Sequence, residues 1–376
     1  MNERTGMPRL DLRFLVGAQG WPYLLVPFIP AAILLDLAGA SDAITFFAAA
    51  LGIMPTAALM SRATEELAAR SGPGVGGLLN VTFGNAPELI ITLFALGEGL
   101  HEVVKATIIG SIIGNVLLVL GASMLVGGLR RERQTFNPTV ASIQTTMLLV
   151  AVAALLMPAL FELGRGHGLP SVGAERVPFG SSVEVLSAVI AGLLIVTYAL
   201  GLLFSLRTHR EVFNPPYEDD STWGWSTRTS VIMLAIAGVA VAVMSEILVG
   251  SISHASESVG ISEFFIGAVI VAIVGNAAEH WVAVIVAYKN KMDLSVNIAI
   301  GSSAQIGLFV APIVVLASFL IGPAPMPLVF NGLEIGAIAL TVLIANYVAG
   351  EGESNWYEGV LLLSIYLILA VVFGFA

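Results

Sequence analysis

The chain has 376 residues, of which 57% are hydrophobic and only 11% charged, with a mean hydropathy of +0.92. A water-soluble globule could not cover that much apolar surface, so the chain belongs in a lipid bilayer. Its 16 Lys and Arg are outnumbered by 26 Asp and Glu, which excludes nucleic acid as a partner. The absence of cysteine leaves only oxygen or imidazole to hold a metal.

Met1 to Gly20 carries Arg4, Arg9 and Arg13 ahead of the first apolar run, with no small-residue cleavage site, and reads as a retained cytoplasmic start. A bilayer core of about 30 Å takes roughly 20 apolar residues to cross. Eleven candidate helices meet that need, near 21–37, 43–60, 75–96, 103–127, 142–160, 183–206, 229–249, 264–288, 294–320, 328–349 and 356–375. The expected class is an all-α polytopic membrane protein, since open sheet edges go unpaired in lipid and a barrel would show short alternating segments.

With the N-terminus inside, 13 of the 16 basic residues fall on the cytoplasmic side, and only Lys105, Arg165 and Arg176 fall outside. Eleven spans then leave the C-terminus outside, most simply in the cytoplasmic membrane. Residues 1–42 form the N-terminus and first helix. Residues 43–206 carry the next five helices, 207–228 a linker with Glu218, Asp219 and Asp220, and 229–376 the last five. Five is odd, so a second copy of a five-helix unit enters from the opposite face as an inverted repeat.

The sequence carries the mark of such a repeat. The third predicted span contains Gly84-Asn85-Ala86-Pro87-Glu88 and the eighth contains Gly275-Asn276-Ala277-Ala278-Glu279, with the acids 191 residues apart. Gly110-Ser111 and Gly301-Ser302 in the following spans repeat at the same offset.

An ionised glutamate deep in an apolar span costs on the order of 3 kcal/mol, so Glu88 and Glu279 need compensation. Asn85 and Asn276 stand three residues earlier, hence on the same helical face. Each Gly-Asn pair, joined by Pro87 in the first copy, weakens its helix and can free backbone carbonyls. Carboxylate, amide and carbonyl oxygens suit a hard cation, and calcium accepts six to eight of them. Ser111, Ser302, Ser303, Asn115 and Gln305 are candidates for the rest of the shell or for lining the pathway. Small-residue packing or interhelical hydrogen bonding is the alternative for each. Emptied of its cation, a desolvated carboxylate pair takes up protons, so calcium and protons compete for one site.

At these motifs, together with Thr64-Glu65-Glu66-Leu67, Gly76 to Ile90, Lys289-Asn290-Lys291-Met292-Asp293 and Gly301 to Ile306, the chain resembles the calcium/proton exchanger family of the cation/calcium exchanger superfamily. The likeness runs from the second span to the C-terminus. It implies an eleven-helix fold with one extra first helix, ion ligation by Glu88 and Glu279, and calcium export driven by proton entry, with no cofactor beyond the transported ions. Pro87 stands where related sequences often carry Thr or another small residue.

Some residues carry two readings. Glu246 in the seventh span is either a proton relay or a satisfied helix-end acid, and His280 either tunes proton release or simply packs. Glu65 and Glu66, like the linker acids Glu218, Asp219 and Asp220, either gather cations, sense cytosolic calcium or form solvated surface. Sodium/proton, potassium/proton and sodium/calcium exchange remain rivals on the same scaffold. An intramembrane metal-dependent hydrolase is the rival from another class, but His101-Glu102-Val103-Val104-Lys105 ends in lysine where a zinc site needs histidine. Partners are inorganic cations and the bilayer, and oligomeric state is left open, a homo-oligomer included.

Overall fold

The computed structural model describes residues 20–173, 181–208 and 223–376. Glu218, Asp219 and Asp220 of the linker, Arg176 and the first 19 residues lie outside them. In chain order the helices are α1 (Trp21–Leu37), α2 (Asp42–Arg70), α3 (Gly72–Gly84), α4 (Ala86–Gly97), α5 (His101–Gly128), α6 (Pro138–Gly164) and α7 (Ser182–Thr208). Then follow α8 (Thr227–Gly250), α9 (Ile252–Val259), α10 (Glu263–Tyr288), α11 (Met292–Ala317), α12 (Gly332–Glu351) and α13 (Trp356–Phe375). Among the described residues the only strands are the two-residue β1 (Gln134–Thr135) and β2 (Glu353–Ser354), paired antiparallel.

The all-α membrane class is therefore borne out. Nine of these helices are long and apolar enough to cross a membrane, and α1 and α4 are shorter apolar helices. The single span expected near 75–96 is two helices, α3 and α4, separated at Asn85. The cause is local. Asn85 leaves the helical region (φ −97°, ψ 18°) and turns its N–H to the Phe83 carbonyl, which Pro87 cannot reach because it has no N–H. In the second copy Ala278 stands where Pro87 does, the donor is kept, and α10 runs unbroken through Gly275-Asn276. The expectation that both Gly-Asn pairs open their helices holds for the first only.

Two further irregularities sit in register. A π-helical stretch occupies Gly114–Val119 within α5 and another Ile306–Val310 within α11, ending 191 residues apart. Each widens a helix just beyond a Gly-Ser pair, and such bulges are frequent at functional sites.

The described residues divide into two compact units. One comprises those up to Ile91, Ala199–Ser251 and Val274–Ala278, and the other Thr92–Tyr198, Ile252–Ile273 and Glu279–Ala376. In the first, α2 packs along α8. Met60, Ala86, Ala237 and Val241 form a buried cluster, flanked by Phe83, Ile90 and Leu234, so the break at Asn85 rests on that helix pair. In the second, glycines let helix backbones touch. A Cβ on Gly110 would collide with the backbone of Ala268, one on Gly359 with Gly121 and Leu125, and one on Gly128 with Trp356.

Glu65 and Glu66 part company at the end of α2. The Glu65 side chain is 47% exposed, as solvated surface requires, whereas that of Glu66 is 1% exposed. Arg62 Nη2 lies 3.2 Å from Glu66, whose carboxylate also accepts the backbone N–H of Trp223 and, at 3.0 Å, that of Trp225. The Arg62 guanidinium sits 4.5 Å over the Trp223 ring, and Arg70 donates to the Gly224 carbonyl at 3.0 Å. Glu66 thus pins the segment leading into α8. Removing Glu66 leaves the buried Arg62 only the exposed Glu65, 3.1 Å away, and loss of a buried partner costs up to about 3–5 kcal/mol. Glu66→Ala is expected to lower stability by that order and to shift tryptophan emission to longer wavelength as Trp223 and Trp225 become wet. Unchanged emission in the variant would remove the pinning role.

Candidate cation site

The site residues sit on irregular or glycine-lined stretches of helix. In the first unit Glu88 lies in the first turn of α4, only 4% exposed, where the positive end of the helix dipole favours a carboxylate. Asn85, at the break, and Asn276, on α10, are both buried. The Glu88 side chain runs against α10. A Cβ on Gly275 would stand 3.5 Å from Glu88 Cγ and 3.8 Å from Oε1. The acid of the first motif therefore lies beside the Gly-Asn pair of the second. Gly84 ends α3 and is partly buried.

In the second unit Glu279 is partly exposed and accepts a hydrogen bond from Ser302 Oγ on α11 at 3.0 Å. The second repeat thus joins its two motifs directly, acid to Gly-Ser hydroxyl. His280 is turned elsewhere, its Nε2 2.9 Å from Asn115 Oδ1 in the π stretch of α5. An amide oxygen only accepts, so that ring nitrogen carries the hydrogen. Ser303 donates back to the Ala299 carbonyl of its own helix at 2.9 Å. Ser111 is buried next to Gly110, and Gln305 is partly buried at the entrance to the second π stretch. Glu246 is exposed near the end of α8.

The fold, with an acid and a Gly-Asn pair buried together in its repeated motif, can be set against known proteins. The profile of the family described as "Sodium/calcium exchanger protein" matches residues 41–207 and 229–375. The chain belongs to that family. The Ca(2+)/H(+) antiporter of Aphanothece halophytica is 42% identical to this exchanger over 371 residues, 93% of this chain and 95% of that protein. The Ca(2+)/H(+) antiporter ChaA of Bacillus subtilis (strain 168) is also 42% identical, over 93% of this chain and 97% of that one. Among solved structures, native YfkE matches with a TM-score of 0.79 at 39% identity, covering 94% of this chain and 100% of that one. The H+/Ca2+ exchanger CAX matches with a TM-score of 0.70, covering 96% and 92%, and at 14% identity it shows the fold alone. The resemblance read in the doubled motif is borne out.

Sequence reading missed one set of polar groups in this exchanger. Lys105, expected as an outer-surface charge, is buried on α5. Its hydrogen-bond acceptor, the Val329 carbonyl, is 224 residues away in sequence, and nothing in the local pattern announces it. Glu334 was readable in part, since Asn331 and Glu334 have the spacing of a capping box and form one.

Proposed function

We propose that this integral multi-pass membrane protein is a Ca2+/H+ antiporter in which Glu88 and Glu279 bind the transported ions by turns. The observation that carries the reading is Glu88 buried against Gly275, together with the names of relatives 42% identical over nearly the whole chain. The doubled Gly-Asn-x-x-Glu motif, with its acids 191 residues apart, supports both acids serving one ion.

Two carboxylates supply part of calcium's shell of six to eight oxygens. Asn85, Asn276, Ser302 and backbone carbonyls at the Asn85 break supply neutral oxygens for the rest, with no resident cofactor. The two carboxylate charges balance those of calcium. When calcium leaves, protons replace it, because neighbouring carboxylates out of water cannot both stay ionised cheaply. Alternating access of such a site to the two sides gives exchange. Thirteen of the 16 basic residues support an N-terminus inside and a C-terminus outside, in the cytoplasmic membrane.

In everted vesicles holding an imposed pH gradient, adding calcium is expected to dissipate the gradient, with calcium uptake rising in parallel. Dissipation by sodium or potassium, with none by calcium, would assign the protein to one of the rival exchange reactions.

A further inference from the structure

Two side-chain amides meet in the second unit, outside the repeated motifs. Gln144 on α6 is 7% exposed, and its Nε2 donates to Asn297 Oδ1 on α11, which packs along α6. Gly301 stands one helical turn beyond Asn297. A Cβ on Gly301 would lie 3.1 Å from Gln144 Nε2 and 3.4 Å from Asn297 Oδ1, so the two amides roof the glycine. The next residue, Ser302, donates to Glu279 at 3.0 Å. The amides therefore adjoin the second acid of the cation site.

Interhelical glue is the ordinary role of such a pair in a membrane, and three observations go beyond it. Glue engages both ends of an amide, yet Gln144 Oε1 is buried with no hydrogen-bond partner among the described residues, a state that buried polar atoms rarely keep without a use. Asn297 is exposed although it lies on a membrane-spanning helix. An amide facing lipid loses its water at a cost, so an aqueous cavity is the surrounding that suits it. Its stripe on α11 begins at Asp293, also exposed, whose Oδ1 accepts the Asn137 N–H at 2.6 Å at the start of α6. Asp293, Asn297 and Gly301 recur every four residues, hence on one face, and descend about 12 Å along the helix. The third observation is that the pair is one-sided. At the motif offset of 191 residues Asn297 corresponds to Ala106 and Gln144 to Ile335, so the other repeat has apolar side chains where this one has amides.

We propose that Gln144 and Asn297 form an access site for the transported divalent cation, where it exchanges part of its water for amide oxygen before reaching Glu279 and Ser302. The inference rests on the exchange reading above, and on the basic residues that put the start of α11, beside Lys289 and Lys291, in the cytoplasm. Gln144 Oε1 and the second lone pair of Asn297 Oδ1 supply the oxygens. Amides suit the step because they are hard, neutral ligands that calcium accepts, and without a charge they hold it less firmly than the carboxylates ahead. They do not titrate, so protons gain nothing from them. The amides favour the metal ion on its way in and leave its competition with protons to the two acids.

The test is calcium-dependent exchange in everted and right-side-out vesicles, which offer calcium to opposite faces of the protein. Asn297→Ala and Gln144→Leu are each expected to raise the calcium KM from the cytoplasmic face about 5-fold, the worth of one oxygen ligand of ordinary hydrogen-bond strength. The KM from the other face is expected to stay as in the wild type, and the pH dependence of KM to keep its slope, because Glu88 and Glu279 are untouched. Charge at Asn297 should act by its sign. Asn297→Asp lowers the cytoplasmic KM and Asn297→Lys raises it, both less so in high salt. A glue role gives a loss of stability and equal KM shifts from both faces, and that result overturns the proposal. So does an unchanged cytoplasmic KM in Asn297→Ala, or a shift in the same direction for Asn297→Asp and Asn297→Lys. Asn297 is exposed, so its variants decide the matter even where Gln144→Leu fails to fold. Wild-type vesicles without calcium-driven proton flux would overturn the exchange reading and this one with it, a result distinct from any confined to the variants.

Discussion

Glu88→Gln or Glu279→Gln is expected to reduce proton-driven calcium uptake in everted vesicles to background, a loss of at least about 100-fold, while the protein remains folded and in the membrane. Glutamine keeps nearly the same volume and one oxygen ligand, so packing around Gly275 and the hydrogen bond from Ser302 survive in outline. What goes is one of the two charges that, on the proposal, balance calcium, and with it the titratable group at that position. A 100-fold loss corresponds to about 3 kcal/mol, a modest demand on the removal of a charged ligand, buried in the case of Glu88 and partly exposed in that of Glu279. Each variant should fail in both arms of the cycle, since in the proposed site the residue that binds the metal is also the one that carries the proton. Glu279→Asp makes the complementary case. It keeps the charge but shortens the reach to Ser302, so reduced rather than absent exchange is expected. Proton-coupled calcium flux at wild-type rates in either glutamine variant would remove the two-carboxylate site.

The parts of this molecule legible from sequence are those set by neighbours along the chain. Gly84 to Glu88 and Gly275 to Glu279 announce themselves because an acid in an apolar stretch stands three residues after an asparagine, and the 191-residue offset shows the motif twice. Pro87 marks the weak point beside Asn85, since a missing N–H is a local fact, but the span expected as one over 75–96 is two helices and the opening expected at Gly275-Asn276 is absent from the continuous α10. Contacts between residues far apart in sequence were hidden. Lys105 looks like a surface charge near a helix start until Val329, 224 residues on, supplies an acceptor. Glu66 looks like half of a solvated pair until Trp223 and Trp225 return to it. The π stretches after Ser111 and Ser302 are hidden for a different reason: Gly114–Val119 and Ile306–Val310 share no residue pattern that calls for an extra residue in the turn.

Among the glycines of the repeated motifs, Gly110→Ala carries the largest expected cost to stability, and the structure predicts that its neighbours differ. A methyl group on Gly110 would be driven into the carbonyl of Ala268, and one on Gly267, from the other side of the same crossing, would stand 2.8 Å from the Val103 carbonyl. Backbone cannot rotate away as a side chain can, so α5 and α10 must separate and surrender the close packing that holds membrane helices together. Overpacking of this kind typically costs about 1–3 kcal/mol, and the backbone obstacle puts Gly110→Ala at the upper end. Gly114→Ala, four residues on in the same helix, meets nothing within 4 Å. Gly275→Ala finds Glu88 at ordinary contact distance, 3.5 Å away. Thermal unfolding in detergent should therefore show a clear drop in Tm for Gly110→Ala and little change for the other two. Because α10 also carries Glu279, Gly110→Ala should slow exchange as well, through displacement of the helix and not through any lost ligand. The Ser111→Ala variant, which leaves the crossing intact, separates the two roles of the Gly-Ser pair: wild-type stability with slowed exchange would give the hydroxyl a share in the ion pathway. A Gly110→Ala protein that melts with the wild type would mean that α5 and α10 do not cross this closely.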